Sequence, residues 1–91
     1  LMDINEITTK YYMRVKVLDE IGVLANIATI LGKYNISIDS FLQKQDKIDT
    51  NCATLLFSTH RCKEKDIQNA MIEISKLSTC KDKPVMIRIE N

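Results

Sequence analysis

The 91-residue sequence predicts an α+β fold: a βαββαβ sandwich in which a four-stranded antiparallel sheet carries two helices on one face. Three observations carry that prediction. Stretches of period-two hydrophobicity alternate with stretches of helical period in the order strand, helix, strand, strand, helix, strand. Only two glycines and one proline punctuate them, so regular structure dominates. The polar run Asp46 to Asn51 is short enough to join two strands as a hairpin, and right-handed crossovers then place both helices on the same side.

Each element has its own warrant. Tyr11 to Leu18 alternates, with Tyr11, Met13, Val15 and Val17 on one side and Tyr12, Arg14 and Lys16 on the other, as a half-buried strand does. From Val23 to Tyr34, helical spacing puts Leu24, Ile27, Ala28, Leu31 and Tyr34 on one stripe, and Asn35 suits the left-handed position that ends a helix. Ile36 to Gln45 alternates again, Ile36, Ile38, Ser40 and Leu42 against Ser37, Asp39, Phe41 and Gln43. The third strand, Cys52 to His60, gathers Ala53, Leu55, Phe57 and Thr59 on one face. Lys63 to Ser78 is a second amphipathic helix with Ile67, Ala70, Met71, Ile74 and Leu77 inward. Pro84 opens a last strand in which Val85, Ile87 and Ile89 alternate with Met86, Arg88 and Glu90. This is the ferredoxin-like arrangement, on which many unrelated functions are built. Tyr12, Leu18, Phe41, Cys52, Leu56 and Met86 are expected on or beside the face that no helix covers. That face is either solvated or met by a second chain or another domain.

Composition removes several function classes. Thirteen Lys plus Arg against twelve Asp plus Glu give a formal charge of +1, which offers no attraction for nucleic acid or an anionic membrane. The third strand lacks the basic, glycine-rich and aromatic signature of an RNA-binding sheet. No apolar run is long enough to span a bilayer. Three cysteines, without a secretory signal, read as free thiols in a reducing compartment, hence a cytoplasmic location. His60 and Cys62 lie at metal-ligand spacing, but at a strand end and in a turn they read as a surface histidine and an incidental thiol, so no metal is expected. No nucleophile with an orienting base appears, and Asp19 and Glu20 point to different sides, so no catalytic residues are expected. The chain opens at Leu1, and residues 1–10 are expected to be an arm from a preceding catalytic domain, with residues 11–91 forming the module.

The informative segment is Val17 to Ile27, where a strand turns into a helix at Gly22. Backbone N–H groups around Gly22, Val23 and Leu24 are then free to take a carboxylate, and Asp19 hangs beside them. Opposite charges a few ångströms apart match the zwitterion of a free amino acid. The alternative is structural: Gly22 permits the turn and Asp19 caps the helix.

Asp19-Glu20-Ile21-Gly22-Val23-Leu24-Ala25, followed by Ile27-Ala28, Ile30-Leu31-Gly32 and Asn35-Ile36-Ser37-Ile38, resembles the ACT domain, a βαββαβ module that binds small ligands, often amino acids. Ile21 stands where that family usually has proline. The segments Tyr11 to Val15, Ser40, Gln43, Lys63 to Leu77 and Lys83 to Glu90 are similar to the C-terminal regulatory region of bacterial homoserine dehydrogenases. The resemblance implies a ligand site at Asp19, Glu20, Ile21, Gly22, Val23 and Leu24. Asn35, bordered by Ile36 and Ser37, would approach that ligand from a neighbouring subunit. It further implies a threonine effector, a homodimer or higher homo-oligomer, and NAD(P) bound by a catalytic domain of the same chain, with no cofactor in the present segment. Within that family some members keep the domain for assembly alone.

Overall fold

The computed structural model describes residues 7–89. Its elements are β1 (Thr8–Leu18), α1 (Val23–Lys33), β2 (Ile38–Gln45), β3 (Cys52–Thr59), β4 (Cys62–Lys63), α2 (Glu64–Ser75) and β5 (Val85–Ile89). All pairings are antiparallel: β1 pairs with β3, β4 and β5, and β2 with β3. The sheet is the expected one with a fifth, two-residue strand, because the turn before α2 runs alongside Thr8 and Thr9.

One side of the sheet is the core. Tyr11, Met13, Val15, Val17, Leu55 and Phe57 are buried together with Val23, Ile27 and Leu31 of α1 and Ile67, Ala70 and Ile74 of α2. Helices over one face and an open second face follow from the period-two pattern of β1 and β3.

Several boundaries and faces differ from the sequence reading. β1 starts at Thr8, so Thr8 to Lys10 belong to the sheet and not to an arm, while residues 1–6 and Glu90 lie outside the described residues. α1 buries Val23, Ile27 and Leu31, which leaves Leu24 and Ala28 exposed, a rotation of the stripe by about one position. β2 begins at Ile38 because Asn35 to Ser37 form the helix stop. Asn35 adopts φ 60°, and the N–H groups of Asn35 and Ile36 donate to the carbonyls of Gly32 and Leu31 at 3.0 and 2.9 Å. That is a Schellman stop with asparagine in the left-handed position, as its type suggests. α2 ends at Ser75.

A bulge between Ile38 and Ser40 reverses the alternation of β2. Phe41 therefore faces the helices and packs on Phe57, with ring centroids 5.2 Å apart, instead of facing the open side. Met86 also turns inward, opposite Met13. The open face is instead built from cross-strand rows. Ser40, Ser58, Tyr12 and Ile87 form one row, Leu42, Leu56, Arg14 and Val85 the next, and Lys44, Thr54 and Lys16 a third.

Candidate functional site

The turn from β1 into α1 is fixed by backbone hydrogen bonds. Leu18 N–H donates to Thr79 O at 2.8 Å and Asp19 N–H to Asn51 O at 2.7 Å, which anchors the end of the strand to two other loops. Gly22 then reverses the chain at φ +89°, a left-handed value that an L side chain adopts only with strain. No side chain caps α1. Val23 N–H makes a long 3.4 Å bond to Glu20 O and Asn26 N–H bonds Gly22 O at 2.9 Å, so the N–H groups of Leu24 and Ala25 take no acceptor among the described residues. The turn role of Gly22 is real, but Asp19 does not cap the helix. Its carboxylate remains in solvent beside the uncapped end, where the helix dipole favours a negative ligand group.

The cleft at this mouth, lined by Leu18, Asp19, Glu20, Leu24 and Gln43 among others, encloses about 40 Å³, little more than a water molecule. A wider polar depression of about 360 Å³ adjoins it, lined by Leu18, Asp19, Glu20, Thr50 and Asn51. Thr50 and Asn51 escaped the sequence reading. They belong to the hairpin between β2 and β3, and the pairing of Leu18 with Cys52 brings them beside Asp19; the only sequence signal was that the third strand pairs antiparallel with the first.

The predicted site residues divide into two groups. Asp19 to Leu24 lie together at the start of α1, with Ile21 fully in solvent and Val23 buried, so that Val23 offers its backbone alone. Asn35, Ile36 and Ser37 lie at the other end of the same helix, about 17 Å away at 1.5 Å per residue. Ile36 is withdrawn into the core, and Ser37 O accepts the N–H of His60 at 2.9 Å. Within one chain the two groups do not meet.

A second polar cluster was not read from the sequence. Glu64 at the start of α2 is buried, and its carboxylate accepts from Tyr11 OH at 2.5 Å, Gln68 Nε2 at 2.7 Å and Arg88 at 3.0 Å. Burial pushes the Glu64 carboxyl up, yet these three donors outweigh it and hold it below the usual range. Burial, and then the bond to Glu64, push the Tyr11 phenol up to about 12. The cluster ties β1, α2 and β5 together and leaves no carboxylate exposed for chemistry. His60 pairs with Asp39 at 3.6 Å and Cys62 is buried against Thr59. Among the described residues no three metal-ligating side chains converge, and no helix is long and apolar enough to cross a membrane.

Five strands and two helices, with an uncapped first helix that starts after a glycine, make a ferredoxin-like α+β sandwich, and the ACT domain model matches residues 11–79. The chain belongs to the ACT domain family. Its sequence is similar throughout to homoserine dehydrogenases. It is 44% identical to that of Helicobacter pylori over 87 residues, covering 96% of this chain and 20% of the relative, and 40% identical to that of Neisseria gonorrhoeae, covering 100% and 21%. A solved homoserine dehydrogenase from Thiobacillus denitrificans superposes with a TM-score of 0.87 at 31% identity, covering 99% of this chain and 19% of the other. The chain thus spans about a fifth of the length of the curated relatives it matches.

Proposed function

We propose that this chain is the amino-acid-sensing regulatory module of a homoserine dehydrogenase, a cytoplasmic NAD(P)-dependent oxidoreductase, and that threonine is its feedback effector. The observation that carries the reading is the uncapped α1 terminus beside a free Asp19. The effector carboxylate sits on the Leu24 and Ala25 N–H groups, its ammonium on Asp19, and its side chain in the depression beside Thr50 and Asn51. A single chain supplies only half of such a site. The cleft of about 40 Å³ cannot enclose an amino acid, and Asn35 stands at the far end of the helix, so a second copy completes the site with its own Asn35. Effector binding and subunit arrangement are then one equilibrium, and a coupling of about 1–3 kcal/mol suffices for feedback inhibition. The nicotinamide cofactor belongs to the remainder of the longer polypeptide. The β1–α1 turn has one glycine where a dinucleotide fingerprint needs three, so it does not fit that group.

The small cleft also favours a second reading, an assembly domain that binds no effector. Titration of threonine, isoleucine, serine and methionine by calorimetry separates the two. A saturable heat with threonine, lost in Asp19→Ala, supports sensing; no response to any of the four supports assembly. Threonine inhibition of the full-length enzyme, with and without Asp19→Ala, extends the same test to regulation.

A further inference from the structure

Among the described residues, every side-chain hydrogen bond between the end of α1 and α2 goes through one carboxylate, that of Glu73. Gly32 stands in the last turn of α1, and glycine gives up more chain freedom in a helix than any other residue, so this turn frays easily. A Cβ at Gly32 would meet no atom within 4 Å, so close packing does not call for glycine there. Burial of Leu31 and Ile36 anchors the inner side of the turn in the core. Its outer side is tied to α2: Glu73 Oε1 accepts Lys33 Nζ at 2.5 Å and Tyr34 OH at 3.2 Å, and Lys33 Nζ lies 5.3 Å from the centre of the Tyr34 ring. The bond from Lys33 holds the Glu73 carboxyl below its ordinary range, so the acceptor is ionised at neutral pH. α2 is itself fixed to β1 and β5 through Glu64, which makes Glu73 a firm anchor. The two residues immediately before Asn35 are thus gathered on one oxygen, while Asn35, at φ 60°, is exposed and its side-chain amide takes no partner among the described residues.

We propose that Glu73 is a positioning residue of the effector site: it fixes the turn from which Asn35 reaches the effector held by Asp19 and the α1 N-terminus of a second copy. The proposal rests on the reading of Asn35 as the group that completes the site across two copies. A contact whose turn must be ordered at the moment of binding loses affinity to that ordering, and a turn ordered beforehand does not. Glu73 orders this turn in the free protein. The pair it makes with Lys33 is partly exposed, with 59% of the Lys33 and 34% of the Glu73 side chain accessible, and such pairs add little to stability. Fraying of one terminal turn also leaves the core intact, so loss of the tether shows in effector affinity far more than in global unfolding.

The test is a double-mutant cycle on threonine binding to the full-length enzyme, measured by calorimetry for the parent, Glu73→Gln, Asn35→Gly and the double variant, with a thermal melt of each. Glu73→Gln keeps the size of the side chain and removes the charge that gathers Lys33; Asn35→Gly suits the left-handed position and removes only the amide. Threonine should bind Glu73→Gln roughly three- to tenfold more weakly than the parent, with the melting temperature unchanged. Once Asn35 is glycine, Glu73→Gln should add no further loss. A purely structural Glu73 would instead lower the melting temperature, or weaken binding by the same factor in both backgrounds, and either result overturns the proposal. So does a Glu73→Gln enzyme that binds threonine as tightly as the parent. If Glu73→Gln does not fold, Lys33→Gln breaks the same pair from the other side and takes its place in the cycle with the same expected outcomes. A parent that gives no heat with threonine removes the sensing reading and this proposal with it, whereas a parent that binds threonine no better than Glu73→Gln removes this proposal alone.

Discussion

Replacing Tyr11 by phenylalanine removes one hydroxyl from the interior and nothing else. That hydroxyl donates to the buried Glu64 carboxylate at 2.5 Å, and Tyr11 itself has no exposed surface. Glu64 keeps Gln68 and Arg88, so it is not orphaned, and the loss falls near the lower end of the range for hydrogen bonds to charged groups, about 1.5–2 kcal/mol at neutral pH. In a domain of this size that corresponds to a fall in Tm of roughly 6–16 °C. The effect also has a pH signature. The unfolded phenol ionises near its ordinary 10.0, whereas the folded one is held at about 12. Its raised value therefore stabilises the fold fully below pH 10.0 and is lost as the pH rises towards about 12. Urea melts of both proteins, followed by circular dichroism at neutral pH and in that alkaline window, measure the difference. It should shrink at alkaline pH. A variant as stable as the parent at neutral pH, or a gap that does not change with pH, would refute the role assigned to the Tyr11–Glu64 bond.

Other consequences can be checked on the same chain. Gly22→Ala meets no atom within 4 Å, so its cost comes from the left-handed backbone alone, about 1–2 kcal/mol in chemical denaturation. Ile27→Ala should cost about 2–5 kcal/mol, whereas Leu24→Ala should cost well under that, and equal losses would contradict the rotated helix stripe. Because Glu64 is held below the ordinary carboxyl value of 4.5, its contribution is complete above that pH and is lost as the pH falls through the lowered value. Glu64→Gln should therefore flatten part of the acid limb of a stability–pH curve; an unchanged acid limb would count against the cluster.

Much of this architecture was legible in the residues themselves. Val15, Val17, Leu55 and Phe57 announced their faces by alternation, and Asn35 announced the helix stop by its tolerance of positive φ. The errors arose where a decision depended on a distant partner. Leu24 and Ala28 lie on a stripe as regular as that of Val23, Ile27 and Leu31, and only packing against the sheet selects between them. The bulge at Ile38 and Ser40 turned Phe41 inward without any glycine to mark it. β5 turns Met86 and Arg88 inward, against the preference of its β-branched residues, because Arg88 meets Glu64, 24 positions away in the chain. At the candidate site, Gly22 and Asp19 were readable from a local pattern, whereas Thr50 and Asn51 are brought there only by strand pairing.

The most direct trial of the sensing account is calorimetric titration of threonine into the chain and into Asp19→Ala, with the oligomeric state followed by light scattering in the same samples. The account predicts a saturable heat accompanied by a dimer, and its loss in Asp19→Ala without loss of folding. A folded dimer that gives no heat with threonine, or an Asp19→Ala variant that binds threonine as tightly as the parent, would contradict it.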